Sequence, residues 1–199
     1  GGTSVPMAPC FTRFPRLLPS PPTRPWPRAR APPPKPPASP SPQTTSLRIT
    51  ELHFHPASDL HEEFIELTNI SSVPLDVSSV SITDGVRFRF ADSATKQLAP
   101  GERVVIVENA DDFRARYGST GITVAGQYKD RLSNGGERLV LTFGKNVPIQ
   151  DFSYNDKWYP LADGGGRSIE VIDPKASTAN LSSASSWRAS EVPGGTPGR

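Results

Sequence analysis

Glu62-Glu63-Phe64-Ile65-Glu66-Leu67-Thr68-Asn69 alternates polar and apolar side chains and closes on a turn-forming asparagine. A run this short cannot make a stable helix, and its two-residue period is that of a strand. The same grammar repeats on both sides. Leu47 to His55 stops at Pro56; Leu75-Asp76-Val77 leads into Val80-Ser81-Ile82 before the tight turn Asp84-Gly85; Val86, Phe88 and Phe90 alternate with Arg87 and Arg89. Pro100-Gly101 turns the chain into the nearly continuous apolar run Arg103 to Val107, suited to the middle of a sandwich. Asn134-Gly135-Gly136 feeds Arg138 to Phe143, Gly144 to Pro148 returns it as Ile149 to Tyr154, and Gly164-Gly165-Gly166 precedes Ser168 to Ile172. Strands at roughly 8 to 12 residue spacing with turn residues between them specify an all-β sandwich. One helical segment is expected, Ala110 to Tyr117, with Phe113 and Tyr117 four apart and Gly118 as its stop.

On β1, the strand from Leu47, period two places Leu52 and Phe54 on one face and Ile49, Glu51, His53 and His55 on the other. Phe54, Phe64, Phe88, Phe90, Phe143, Trp158 and Trp187 are the expected bulk of one core. No repeat of solenoid or propeller length is present.

Outside the strands the composition changes. Residues 1–45 hold 15 of the 23 prolines, in strings such as Pro32-Pro33-Pro34-Lys35-Pro36-Pro37, and are expected to be an extended, polyproline-like disordered tail or linker. The domain is expected over 46–199. The formal charge of +2 conceals an asymmetry. The tail carries Arg13, Arg16, Arg24, Arg28, Arg30 and Lys35 without an acid, +6, which leaves 16 basic against 20 acidic groups in 46–199, a balance of −4. Contact with nucleic acid or another anionic polymer is therefore expected through the tail alone, because the domain's cations are dispersed among its acids with no basic stripe.

Cys10 is the only cysteine, so no internal disulfide and no thiolate zinc site can form. No apolar stretch approaches the roughly 20 residues of a membrane helix, and membrane insertion is not expected. No secretory signal is visible, and the Gly-Gly start suggests a fragment of a longer protein.

The sharpest chemical cluster is histidine. His53, His55 and His61 fall within nine residues, among Glu51, Asp59, Glu62, Glu63 and Glu66. Glu51, His53, His55 and Glu66 are the candidate metal set, since imidazole with carboxylate suits zinc or copper. Against it stands an edge strand showing polar groups to water. Asp84, Asp130, Asp151, Asp156 and Asp163 read as turn caps rather than calcium ligands. The triple glycine precedes a strand, not the helix start a phosphate cradle needs. Gly-x-Ser-x-Gly is absent and all histidines share one segment, which argues against a catalytic triad. Glu62 and Glu63 are adjacent and face opposite ways, unlike a glycosidase pair. No catalytic residues and no cofactor are expected.

The order of the pieces resembles the lamin tail domain in its bacterial form. The matching stretches are Ile49 to Pro56, Glu63 to Asn69, Val80 to Gly85, Leu98 to Gly101, Leu132 to Glu137, Ala162 to Glu170, Trp187 and Gly194-Gly195-Thr196-Pro197-Gly198. They cover roughly 47 to 199. The resemblance implies a non-catalytic immunoglobulin-like module of large secreted or surface bacterial proteins, extracellular, with protein or cell-surface partners. The nuclear relatives end lamin filaments, but no coiled-coil heptads occur here, so a filament role is not implied. The competing readings are a metal-dependent enzyme or metal-stabilised adhesin built on His53 and His55, and anionic-polymer binding by the tail.

Overall fold

A computed structural model describes residues 1–3, 41–58 and 60–199. Residues 4–40 of the expected proline-rich tail, with Cys10 and all six of its cations, fall outside the described residues, as does Asp59. Helix α1 (Pro42–Ser46) straddles the expected boundary after residue 45. Its last carbonyls are held by Arg48, whose guanidinium donates to Thr44 O and Thr45 O, and Gln43 Nε2 anchors it to Asp76 O at 2.9 Å.

Twelve strands follow: β1 (Leu47–His53), β2 (Phe64–Asn69), β3 (Leu75–Asp76), β4 (Val80–Asp84), β5 (Phe88–Arg89), β6 (Gln97–Leu98), β7 (Arg103–Val107), β8 (Val124–Gln127), β9 (Arg138–Phe143), β10 (Val147–Ser153), β11 (Ile169–Val171) and β12 (Trp187–Ala189). The large sheet has the order β12-β11-β1-β2-β7-β8, the smaller β10-β9-β4-β5, and β3 pairs with β6. The two larger sheets enclose one core in which Leu52, Phe54, Ile65, Leu141, Tyr154 and Trp187 are nearly or wholly inaccessible. This is the all-β sandwich that the strand pattern specified, of the immunoglobulin-like type that the resemblance implied.

The face assignment on β1 needs correction. Ile49 and Leu52 both point into the core, because the register with β2 shifts between Ile49 and Glu51. Thr50 is the extra residue of a bulge, and one inserted residue exchanges the faces of everything that follows it. Nor is β1 an edge strand. It lies between β11 and β2, and Glu51 and His53 are each only 1 % exposed.

The outer face of the large sheet is covered by two devices. Helix α2 (Ala110–Tyr117) lays Phe113 over Phe64, Val105 and Val107, a second small core that explains why β7 is apolar on both faces. Asn109 caps α2, its Oδ1 accepting from Asp111 N and Asp112 N at 2.9 and 3.1 Å, and Gly118 ends it at φ +76°. Asn109→Ala should cost about 1 kcal/mol, read as a lower urea midpoint at unchanged slope. The C-terminal residues cover the remainder of that face. Among the described residues no helix is long and apolar enough to cross a membrane.

Candidate functional site

Glu51 of β1 and Glu66 of β2 are directly paired across the strands and project from the outer face, under the C-terminal turn. Each is buried and each is used. Glu51 Oε1 accepts from Ser168 Oγ at 2.5 Å and from Thr196 N at 2.8 Å; Glu66 Oε1 accepts from Thr50 Oγ1 and Arg103 Nη1, both at 2.6 Å, and its Oε2 from Gly198 N at 2.8 Å. The turn thus closes on the sheet by handing two main-chain N–H groups to two neighbouring carboxylates. Gly195 has φ +76°, and a Cβ there would collide with Glu51 Oε1, so only glycine permits this approach. Burial pushes the Glu51 carboxyl up to about 7, opposed by the Ser168 and Thr196 bonds and aided by the charges of Glu66 and Glu170.

His53 sits beside this clasp. Tyr117 Oη donates to Gly194 O at 2.8 Å and lies 3.3 Å from His53 Nδ1, so Nδ1–H is the donor of that contact. Nε2 is buried with no hydrogen-bond partner. Burial, with Arg116 nearby, holds the imidazole down at about 4, so it is neutral and cannot serve as a charged hub.

Farther along the sheet Glu63 accepts from Tyr128 Oη and Leu132 N, both at 2.9 Å, and burial raises its carboxyl above the usual range. Arg131 Nε reaches Glu108 Oε1 at 2.8 Å, and His61 Nδ1 meets the same oxygen at 2.7 Å. These groups lock the β1–β2 loop to the chain beyond β7 and β8.

The four candidate metal ligands do not share a centre. Glu51 and Glu66 serve the clasp, His53 faces Tyr117, and His55 Nδ1 pairs with Asp163 at 2.6 Å. Among the described residues no cluster of three or more histidine, cysteine or acidic side chains has the spacing to hold a metal ion. A chelator wash followed by zinc titration of the full chain should leave its melting temperature within about 1 °C, whereas a rise of several degrees would restore the metal reading. The turn aspartates also differ from expectation. Asp84 caps Gly85 N, but Asp130 pairs with Arg87, Asp163 with His55, and Asp151, which is in β10 rather than a turn, with Arg138. Sequence reasoning placed Ser168 and Arg103 in strands, Tyr117 in the helix and Thr196 and Gly198 in the exit motif, and gave none of them a part in the site. Strand glutamates between apolar residues, together with a C-terminal Gly-Gly-Thr-Pro-Gly rich in unpaired N–H groups, were the signal for them.

The sandwich is open on one side only partly closed by hydrogen bonds. Arg87 and Lys129 exchange main-chain bonds of 3.1 and 2.9 Å between the edge of the small sheet and that of the large one, and Ser93 Oγ donates to Ala125 O at 2.7 Å. Between these two ties β5 and β8 diverge around a groove of about 670 Å³, with Ile82, Phe88, Ala125 and Gly126 along its walls.

Two packed sheets around one core, with buried carboxylates taken up by internal bonds, define an immunoglobulin-like domain. The sequence model of the Lamin Tail Domain matches residues 40–156, more than half of the chain, and the chain belongs to that family. No curated protein matches it.

Proposed function

We propose that this chain is a non-catalytic binding or architectural module of a larger bacterial secreted or cell-surface protein, meeting protein or surface partners through sheet edges and end loops. The observation that carries the reading is the division of labour among its polar groups. The three carboxylates at most 1 % exposed, Glu51, Glu63 and Glu66, are taken up by intramolecular donors, while the open groove between β5 and β8 presents edge backbone and solvent-exposed cations. Such an arrangement offers a surface rather than a reaction centre. Its relation to the family supports the reading, since lamin tail domains are immunoglobulin-like modules.

The test is saturable retention of the full chain on a bacterial cell-envelope fraction, with protease-treated envelope as control. Retention lost on protease treatment is the expected result; absence of retention on both would overturn the reading. The +6 balance of the tail is a separable property, and it would appear as salt-dependent retention on DNA that deletion of residues 1–39 removes.

A further inference from the structure

The divergence of β5 and β8 leaves a space whose walls are unpaired in a regular way. Arg87 gives both its N–H and its C=O to Lys129, so in extended β5 the groups of Phe88 face β4, where Phe88 pairs with Ile82, and the N–H of Arg89 faces away from β4 again. On the other wall Tyr128 N donates to Val107 O, toward β7. The main-chain groups of its neighbours Gln127 and Lys129 therefore face the open side, and those of Lys129 are the ones Arg87 takes. Arg89 and Gln127 each lie two residues from that bridge on facing walls, where direct pairing would continue if the strands stayed together. They separate instead, and the alternation turns the Arg89 N–H and the Gln127 main chain into the gap, with no bond from either to a turn or loop among the described residues.

The floor and rim state what would fit. Ile82, Phe88 and Ala125 are at most 8 % exposed, and the Phe88 ring lies 3.1 Å from where a Cβ on Gly126 would stand, so the floor is a smooth apolar strip. Above it are Arg87, Arg89 and Lys129, against Asp130, which binds Arg87 at 2.8 Å, and Asp92, which is 3.8 Å from Arg89. Lys129 is in no ion pair among the described residues, so the rim is +1 on a domain that is −4. The chain's own tail does not suit this groove. A third of it is proline, which cannot donate to a ladder, and its charge has the wrong sign.

We propose that the groove accepts an extended acidic segment of a partner protein as an added strand. That strand pairs with Gln127 on one side and Arg89 on the other, lays alternate apolar side chains on Phe88 and Ala125, and turns its carboxylates toward Lys129. The proposal rests on the binding-module reading and gives it a partner chemistry.

The test is a titration of the ¹⁵N-labelled full chain with a capped heptapeptide of alternating glutamate and valine, and separately with its lysine and valine counterpart. Expected are amide shifts at Arg89, Gly126 and Gln127 with the acidic peptide and at least about tenfold weaker binding of the basic one. Lys129→Glu, which touches no main-chain bond, should reverse that preference while leaving amides outside the groove unmoved. No shift at Arg89 and Gln127, or equal affinity for the two peptides, overturns the proposal. Shifts confined to the end loops would overturn the groove while leaving the binding-module reading intact; loss of that reading would show instead as failure of envelope retention.

Discussion

Glu66→Ala should lower stability by about 3–5 kcal/mol, the range for breaking one side of a buried charge pair, and detach the C-terminal turn. The carboxylate is completely inaccessible and receives Thr50 Oγ1, Arg103 Nη1 and Gly198 N. Its removal takes the acceptor from the half-buried Gly198 N–H and the counter-charge from the Arg103 guanidinium, which is 36 % exposed, while Thr50 keeps Thr68 Oγ1 at 2.8 Å. For a domain of this size the melting temperature should fall by roughly 10 °C. Glu66→Gln keeps the shape and one acceptor oxygen and should recover a large part of that loss. Gly195→Ala tests the same closure with every charge in place, because it combines a left-handed backbone with a collision against Glu51. Protease cleavage near the C-terminus should accelerate in both Glu66→Ala and Gly195→Ala. Wild-type melting in Glu66→Ala would mean that the turn is held by something else.

The pH dependence of stability should be shallow between about 4.5 and 6.5, with a residual decline as pH rises, because Glu51 and His53 oppose one another and Glu63 adds to Glu51. Glu51 is raised from 4.5 to about 7 in the folded state, so its contribution is complete below 4.5 and is lost as pH rises toward 7. His53 is lowered from 6.5 to about 4, so its contribution is complete above 6.5 and is lost as pH falls toward 4. Each shift corresponds to about 3 kcal/mol. Glu63, also raised, acts in the sense of Glu51. The hydrogen-bond geometry accommodates a neutral Glu51. A proton on Oε2 donates to Thr196 Oγ1 at 3.2 Å, which donates in turn to Glu170 Oε1 at 3.2 Å. In urea unfolding at several pH values His53→Phe should uncover a stability that declines from pH 4.5 to 7, and Glu51→Gln one that rises from pH 4 to 6.5. Parallel profiles for wild type and both variants would show that neither group titrates with folding.

The strands carrying the core were legible because β2, β4 and β9 are short runs built on apolar residues and bounded by turn residues whose backbone demands are specific, as at Gly85 with φ +80° and Gly136 with φ +93°. What escaped was non-local. A single extra residue at Thr50 reversed the reading of β1, and nothing in Leu47 to His55 announces a bulge without its partner strand. β8 is short, holds Gly126 and pairs in parallel with β7, so it lacks both composition and a hairpin turn to betray it. α1 follows the proline-rich stretch and is held by tertiary contacts. The strand glutamates read as a wet face because a polar residue every second position usually means solvent. Here it means a second layer, made of a helix and the last few residues of the chain. Membership of the lamin tail domain family was readable from the order of its turn motifs, whereas the fate of His53 and His55 was not, since burial and Asp163 depend on contacts more than a hundred residues away.

The clasp has a consequence for synthesis. Thr196 meets Glu51 across 145 residues and Gly198 meets Glu66 across 132. Until residues 194–198 leave the exit tunnel the first two strands are exposed with their carboxylates hydrated, and they cannot yet bury them. Completion of the fold therefore waits on residues that are synthesised after the last strand of either large sheet.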